Sequence, residues 1–582
     1  MRFPPFSLVS ATVLAVVLAG ASCKSPEAPV TPVGSASASA SVAAAPDAGP
    51  PAIKNDVLVT IVIDQFAAWM ADERLADLPK TGGFARLLRE GTYVRELRFR
   101  HSTTETAPGH SALYTGATPR VSGIFGNEIV DPLTHKRVTV LRDRSTTQVL
   151  PMGTTDDLGS SLAILDVETL ADRLRAERDD AEIIALSLKD RGALFGGGRK
   201  PDAAIWFDAK KNTLITSTAI TKVYPAWAKL DLEPLEREPW KLLDAPWVQK
   251  HAATGDDQSG EGDIDGFGIT FPHDFTASKT IGYAFRASPR GDEALFTLAK
   301  TAVDRHDAAR PFLLALSLSS HDGVNHTFGP DSWEAWDELL RLDAALGAFF
   351  AYLDRKFGET GWSTMLTADH GGVPMPEIPS AKHAWCNNAG GANDRWERPC
   401  AQGTRILQDE VGDKMEAEAQ KLVGGKGSPR LIDGFASPYL FLSFAAINLP
   451  KDKKDKLLTG LRKALLAYPG IDRAVFDRDE LHCDTATDSI DKLLCESLAP
   501  KTPPSFYLVA KKGSFFDPAY TVGKGTSHGA PYLSDRAVPL FIRSPGRAGM
   551  GVVVDAPTDF SEFVRTAASI LKVRAPSGAM AP

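Results

Sequence analysis

Several short, almost wholly apolar runs, each ending at a polar residue, limit this chain more than any other feature. They are Val57 to Ile63 before Asp64, Ile183 to Leu188 before Lys189, Phe312 to Leu318 ahead of Asp322, and Met365 to Thr367 before Asp369. Continuous apolar runs of this length suit strands buried on both faces, as in a parallel sheet. Helical patterns lie between them. The clearest runs from Ser332 to Phe357, with Leu339, Leu342, Leu346, Phe349, Leu353 and Phe357 at three- and four-residue spacing and Gly358 as the stop. The alternation predicts an α/β fold with a mostly parallel central sheet flanked by helices. Ligands of such sheets sit beyond the carboxyl ends of the strands. Asp64, Lys189, Asp322 and Asp369 should therefore share one edge. Capping of a following helix by each Asp is the plain alternative, and it leaves unexplained the histidines that accompany two of them.

Composition narrows the setting. The 582 residues are 43% apolar and 24% charged, enough to bury one large core or two smaller ones. A net charge of −8 argues against the basic footprint of a nucleic-acid binder, so no nucleic-acid partner is expected. At the N-terminus, Arg2, an apolar run from Leu8 to Leu18 and small residues up to Cys23 read as a secretory signal over residues 1–23. It is short for a permanent span. Leu18-Ala19-Gly20-Ala21-Ser22-Cys23 resembles a bacterial lipoprotein signal, with Gly20 where Leu is usual. Lipidation of Cys23, which would attach the protein to a membrane, and simple cleavage both remain open. Residues 24–53, rich in Ala, Ser, Pro and Val, form a linker that cannot bury enough apolar surface to order itself.

Residues 54–575 then form the catalytic domain, in which the simple alternation breaks over residues 373–522. That stretch reads as an inserted α+β cap, with strands at 437–444, 471–476 and 505–511 and helices at 451–467 and 488–497. Apart from Cys23 the cysteines fall into two local pairs, Cys386 with Cys400 and Cys483 with Cys495. In an exported protein these suit two short-loop disulfides. A four-cysteine zinc site competes, without the C-x2-C spacing such sites usually carry.

Chemistry concentrates in a few segments. Thr106, in Thr103-Thr104-Glu105-Thr106-Ala107-Pro108-Gly109-His110, leads into an apolar stretch that would begin a helix. A hydroxyl there feels the positive end of the dipole, beside amides able to hold phosphate oxygens. Asp322 with His326, Asp369 with His370, and His528 add carboxylates and imidazoles in a ratio that suits Zn²⁺. Two such ions can activate a nucleophile and stabilise the leaving oxygen of an in-line phosphoryl displacement. His110 and His321 are read as supports rather than ligands, and Glu105 as facing solvent.

The order Asp64, T-x-P-G-H from Thr106, D-x-x-x-H at Asp322 and His326, D-H-G-G at Asp369 and S-H-G at His528 resembles the alkaline phosphatase superfamily. The resemblance is to the branch holding nucleotide pyrophosphatases/phosphodiesterases and the Thr-nucleophile, phosphate-irrepressible alkaline phosphatases, and it covers Asp56 to Ile542. It implies two zinc ions, one on Asp322, His326 and His528 and the other on Asp64, Asp369, His370 and the Thr106 oxygen. It also implies that Asn127 contacts the phosphoryl group. Lys189 and Arg191 match a pair found in the monoesterases and lacking in typical diesterases. The expected activity is hydrolysis of a small-molecule phosphate monoester through a phosphothreonine. A phosphodiesterase or nucleotide pyrophosphatase of the same fold, and a surface-binding homologue without chemistry, are the alternatives.

Overall fold

The protein is described here by a computed structural model covering residues 56–581, apart from 253, 379–385, 387–393, 399, 426 and 518–522. The signal with Cys23 and the linker lie outside the described residues. The apolar runs become the strands Val57–Ile63, Glu182–Ser187, Phe312–Leu318 and Ser363–Thr367, buried at all or nearly all positions. With Ala203–Asp208 they lie side by side in one parallel block, ordered Ser363–Thr367, Val57–Ile63, Phe312–Leu318, Glu182–Ser187, Ala203–Asp208. Ile63 pairs with Leu318, and Ser317 with Ser187, so the carboxyl ends stop level with one another.

Further strands, paired mostly antiparallel, extend this block into a 12-stranded sheet. Ala537–Arg543 and Thr92–Arg98 flank one side, and Thr213–Ser217, Arg142–Leu150 and Gly153–Ser160 the other. The outer hairpin over residues 142–160 is polar and largely exposed, as an edge that must avoid pairing with other chains requires. The expected long helix is Trp333–Phe357. Its N-terminus is capped by Ser332, whose hydroxyl accepts from Ala335 N–H at 3.1 Å, and Gly358 at φ 78° ends it.

The inserted region carries a four-stranded antiparallel sheet ordered Ile432–Ala436, Tyr439–Leu442, Ser505–Ala510, Ile471–Val475. The strand expected at 437–444 is Tyr439–Leu442, and it forms a hairpin with a strand that was not expected, Ile432–Ala436. Pro438 has no N–H for a ladder, so the chain turns there and Tyr439–Leu442 pairs back on Ile432–Ala436. The two faces of this sheet go to different cores. Tyr439, Phe441, Tyr507 and Val509 join the main core. Leu440, Leu442, Phe506 and Leu508 pack with Val411 and Met415 of the helix Gln408–Val423 and with Leu457 and Leu461 of the helix Lys451–Leu466. Alternate residues of a strand point to opposite faces, so one strand serves both cores. Residues 53–582 thus make one compact unit.

Cys386 is bonded to Cys400 and Cys483 to Cys495. The second bridge ties the helix Ser489–Ser497 to the preceding loop, and Ser497 Oγ accepts from the N–H of Ser102 at 2.7 Å. Closing a loop of this length restricts the unfolded chain by about 3 kcal/mol. Replacing Cys483 and Cys495 together with Ser should lower stability by roughly 2–3 kcal/mol in urea melts. An unchanged midpoint would show that the bridge restrains nothing.

Candidate metal centre and active site

Each strand end delivers its residue to the same edge. Asp64 follows Val57–Ile63 directly, and Asp369 and His370 follow Ser363–Thr367. Lys189 stands at the N-cap of the helix Asp190–Gly197, just after Glu182–Ser187. Asp322 and His326 lie four apart on the helix Ser320–Phe328, hence on one face. His528 arrives from the loop before the helix Leu533–Arg536. Thr106 is the first residue of the helix Thr106–Thr115. All of these side chains are buried.

Two sets of ligand atoms lie within 4.8 Å of one another: Asp322 with His326 and His528, and Asp64 with Asp322 and His370. Each imidazole is held by its Nδ1. His326 Nδ1 is 2.7 Å from the Thr526 carbonyl, His370 Nδ1 2.9 Å from that of Gly371 and His528 Nδ1 2.8 Å from that of Thr104. That leaves Nε2 of each turned inward, the arrangement seen around ligating histidines. Asp64 Oδ1, Asp322 Oδ1, Asp369 Oδ2 and His370 Nε2 are buried and make no well-aligned hydrogen bond, facing one another and the imidazoles of His326 and His110 instead. Carboxylates and imidazoles converging with their free atoms inward are the donor set of a divalent-cation site, so these residues fit metal ions. Asp322, rather than Asp369, joins Asp64 and His370 in the second set. Asp369 stands one step back: its Oδ1 accepts from Gln65 N–H at 3.2 Å, and its Oδ2 lies 3.0 Å from His110 Nδ1.

Lys189 is the counterweight. Its ammonium donates to Oδ2 of Asp64 and to Oδ2 of Asp322, both at 2.6 Å, and lies 3.3 Å from the Thr106 hydroxyl. With each Oδ2 so occupied, Asp64 Oδ1 faces His370 Nε2 at 3.3 Å and Asp322 Oδ1 faces His326 Nε2 at 3.0 Å. Burial and the neighbouring Asp322 charge push the Asp64 carboxyl up, but Lys189 and His370 outweigh them and hold it below the usual range. Burial likewise opposes the charge on Asp322, and His326 and Lys189 hold it well below. Burial alone would depress His370, yet Asp369 and Asp64 lift it to about 9. The same negative field would draw in a divalent cation.

Thr106, Asn127, Lys189, Arg191, His326 and His528 line a cleft of about 1010 Å³. Two side chains there escaped the sequence reading. Arg286 lines the cleft with Lys189 and Arg191. Glu105, expected in solvent, is 4% exposed, and burial pushes its carboxyl up to about 7. Every residue of the helix it precedes is buried, and the near absence of charge in Thr106–Thr115 could have signalled that. His110 and His321 do act as supports: His110 Nε2 meets Ser317 Oγ at 2.9 Å and His321 Nδ1 meets Glu338 Oε2 at 2.7 Å.

Removing one partner of a buried ion pair costs roughly 3–5 kcal/mol. In chelator-treated protein, Lys189→Met should therefore lose about that much stability at neutral pH. The depressed carboxyls imply that wild type keeps this stability above the ordinary Asp pKa and loses it as pH falls through the lower folded values. The variant, lacking the ammonium, should lose much less over that acid range. Urea melts of both proteins from pH 7 downward check this, and parallel curves would refute it.

Comparison with known proteins supplies the family. The type I phosphodiesterase / nucleotide pyrophosphatase model matches residues 58–399. The chain is 28% identical to a Myroides odoratus protein named calcium-transporting ATPase, over 90% of this chain and 93% of that one. It is 28% identical to alkaline phosphatase PhoV of Synechococcus elongatus, over 90% and 91%. Alkaline phosphatase PafA of Elizabethkingia meningoseptica is 27% identical, over 90% and 93%. The crystal structure of a wild-type alkaline phosphatase PafA superposes with a TM-score of 0.75 at 24% identity, covering 90% of this chain and 97% of that one. A solved PafA variant carries replacements of a Thr, an Asn, a Lys and an Arg spaced 21, 62 and 2 residues apart along that chain. The matched stretch contains the sheet block and every candidate residue except His528, and this chain belongs to the type I phosphodiesterase / nucleotide pyrophosphatase family of the alkaline phosphatase superfamily.

Proposed function

We propose that the protein is an alkaline-phosphatase-type phosphomonoesterase working through a phosphothreonine on Thr106, with two zinc ions held by Asp64, Asp322, His326, Asp369, His370, His528 and the Thr106 oxygen. The observation that carries this reading is the meeting of Thr106, Asn127, Lys189 and Arg191 in one cleft. They are spaced 21, 62 and 2 residues apart in this chain, as are the four residues replaced in the PafA variant. Two relatives named alkaline phosphatases, each similar over 90% of the chain, support the same reading.

When bound, the metal ions supply Lewis acidity that lowers the pKa of a coordinated hydroxyl and stabilises a leaving oxygen. The chain's own residues do the rest. Thr106 offers its oxygen at the positive end of a buried helix, where developing charge on a phosphoryl group is favoured. Its oxygen, having lost its proton to solvent, attacks phosphorus as the bond to the leaving alkoxide breaks; the alkoxide takes up a proton and departs as the alcohol, and water then cleaves the phosphothreonine to release inorganic phosphate and free Thr106. Arg191 and Asn127 hold non-bridging oxygens, while Lys189 keeps its two carboxylates aimed and faces the attacked group.

A monoester presents a dianion and a diester a single charge with a bulky substituent, so the two cations favour the monoester. For a terminal phosphoryl group on a nucleotide the same logic holds, which accommodates the relative named an ATPase. Among the described residues no helix is long and apolar enough to cross a membrane. We also propose that the protein is exported, to the periplasm or outer envelope, with Cys23 as a lipid anchor; the signal-like N-terminus and the paired cysteines support this.

The decisive test is kcat/KM for one aryl phosphate and its methyl diester. Because Lys189 also braces carboxylates, Arg191→Ala is the cleaner variant. A charge-assisted bond of about 1.5–3 kcal/mol predicts a loss of roughly 10–10²-fold for the monoester and much less for the diester. Thr106→Ala should abolish most turnover, and trapped phosphate should map to Thr106. Chelation should stop turnover and zinc restore it. A wild-type preference for the diester, or equal losses on both substrates, would move the protein to the phosphodiesterase reading.

A further inference from the structure

Glu105 occupies the N-cap position of the helix that carries Thr106, yet its side chain makes no capping bond to that helix. Ser, Thr, Asp and Asn are the usual residues there because their short side chains reach the first free N–H groups. The Glu105 carboxylate turns across the cleft wall instead. Its Oε2 accepts the backbone N–H of Asn127 at 2.9 Å. Asn127 in turn supplies the missing cap, its Oδ1 accepting the N–H of Ala107 at 2.7 Å. A cap on this helix is thus relayed through a residue 22 positions away from Glu105.

The relay fixes the chemistry of Asn127. A backbone N–H can only donate, so the amide atom facing Ala107 must be the oxygen, and the flip of the side chain is settled by the network. Only the Nδ2 donors are then left for the cleft that Asn127 lines beside Thr106 and Arg191. The carboxylate is buried beside two glycines: even a Cβ added to Gly126, or to Gly529 next to His528, would come only to ordinary contact distance, 3.7 Å from its Oε2 and 3.8 Å from its Oε1. A side chain one methylene shorter would not reach Asn127 from the same backbone.

We propose that Glu105 is the positioning residue for Asn127, accepting its backbone N–H so that the asparagine caps the Thr106 helix with its oxygen and presents its NH2 group to a phosphoryl oxygen. This rests on the phosphatase reading and adds to it the residue that sets the direction of a donor. Length and an acceptor oxygen are what the role requires, and negative charge is not.

Five variants test it: Glu105→Ala, Glu105→Gln, Glu105→Asp, Asn127→Ala and the pair Glu105→Ala/Asn127→Ala, each checked for an unchanged circular-dichroism melt. Asn127→Ala should lose roughly 10–10²-fold in kcat/KM on an aryl phosphate. The double variant should lose no more than that, since the two residues act as one unit. Glu105→Gln, of the same length with an acceptor oxygen, should stay within about threefold of wild type, while Glu105→Asp should fall toward Asn127→Ala. Tungstate affinity, measured by calorimetry on the metal-loaded proteins, should follow the same order without any turnover. Additive losses in the double variant, or an active Asp form beside an inactive Gln form, would overturn the proposal. A wild type that hydrolyses neither monoester nor diester would sink the phosphatase reading, and the tungstate series would still decide the role of Glu105.

Discussion

One ammonium group organises the site: Lys189, 2.6 Å from a carboxylate oxygen of both Asp64 and Asp322. Two carboxylates withdrawn from water cost several kcal/mol each unless they are paired and hydrogen-bonded. Lys189 pairs both at once, and by taking one oxygen from each it dictates where the other points. The sheet makes this possible. Val57–Ile63, Phe312–Leu318 and Glu182–Ser187 are consecutive parallel neighbours with level ends. Strands lie about 4.8 Å apart, so three adjacent ends span about 10 Å, within reach of a lysine and two aspartates. An antiparallel neighbour in that block would send one of the three to the opposite edge.

The same centre explains why family membership leaves the substrate open. The fold positions a metal-binding cluster and a helix N-terminus, and neither distinguishes one ester from another. Discrimination falls to whatever surrounds the non-bridging oxygens. Here Arg191 and Arg286 line the cleft beside Lys189, in a chain whose overall charge is −8. Local cations in an acidic protein act only at short range, since charges beyond about 10 Å are screened at ordinary ionic strength. The preference for a dianion is therefore a property of the cleft wall rather than of the whole molecule.

How far the sequence revealed this follows from what each element buries. The central strands were legible because both faces are covered, leaving an unbroken apolar run. The flanking strands of the same sheet were not, because Arg142–Leu150 and Gly153–Ser160 leave most of their residues exposed or half-buried and carry no such run. Asp64, Asp322, His326, Asp369 and His370 stand out by residue type just after strand ends, and His528 only by its S-H-G motif late in the chain. Glu105 was misplaced because an acidic residue is ordinarily solvated, and only the uncharged helix behind it betrays that no solvent is near. The strand ahead of Pro438, Ile432–Ala436, is not legible for a related reason: Asp433 and Gly434 interrupt its apolar run, whereas Tyr439–Leu442 after the proline is unbroken.

The inserted lobe carries the argument from stability into catalysis. Its sheet sends Tyr507 toward the main core, where the phenol oxygen meets Ser102 Oγ at 2.6 Å and Thr103 Oγ1 at 3.0 Å. Ser497, on the helix closed off by the Cys483–Cys495 bridge, holds the Ser102 N–H. On the other side His528 Nδ1 lies 2.8 Å from the Thr104 carbonyl, and Thr104 Oγ1 donates to the Ala530 carbonyl at 2.9 Å. Ser102, Thr103 and Thr104, which lead into Glu105 and Thr106, are thus held by groups from separate parts of the chain before any substrate arrives. Positioning of this kind is what lets an attacking oxygen meet phosphorus without an entropic search. A lobe that reads in sequence as a cap over the cleft is, through its inner face, a support for the turn that leads into Thr106.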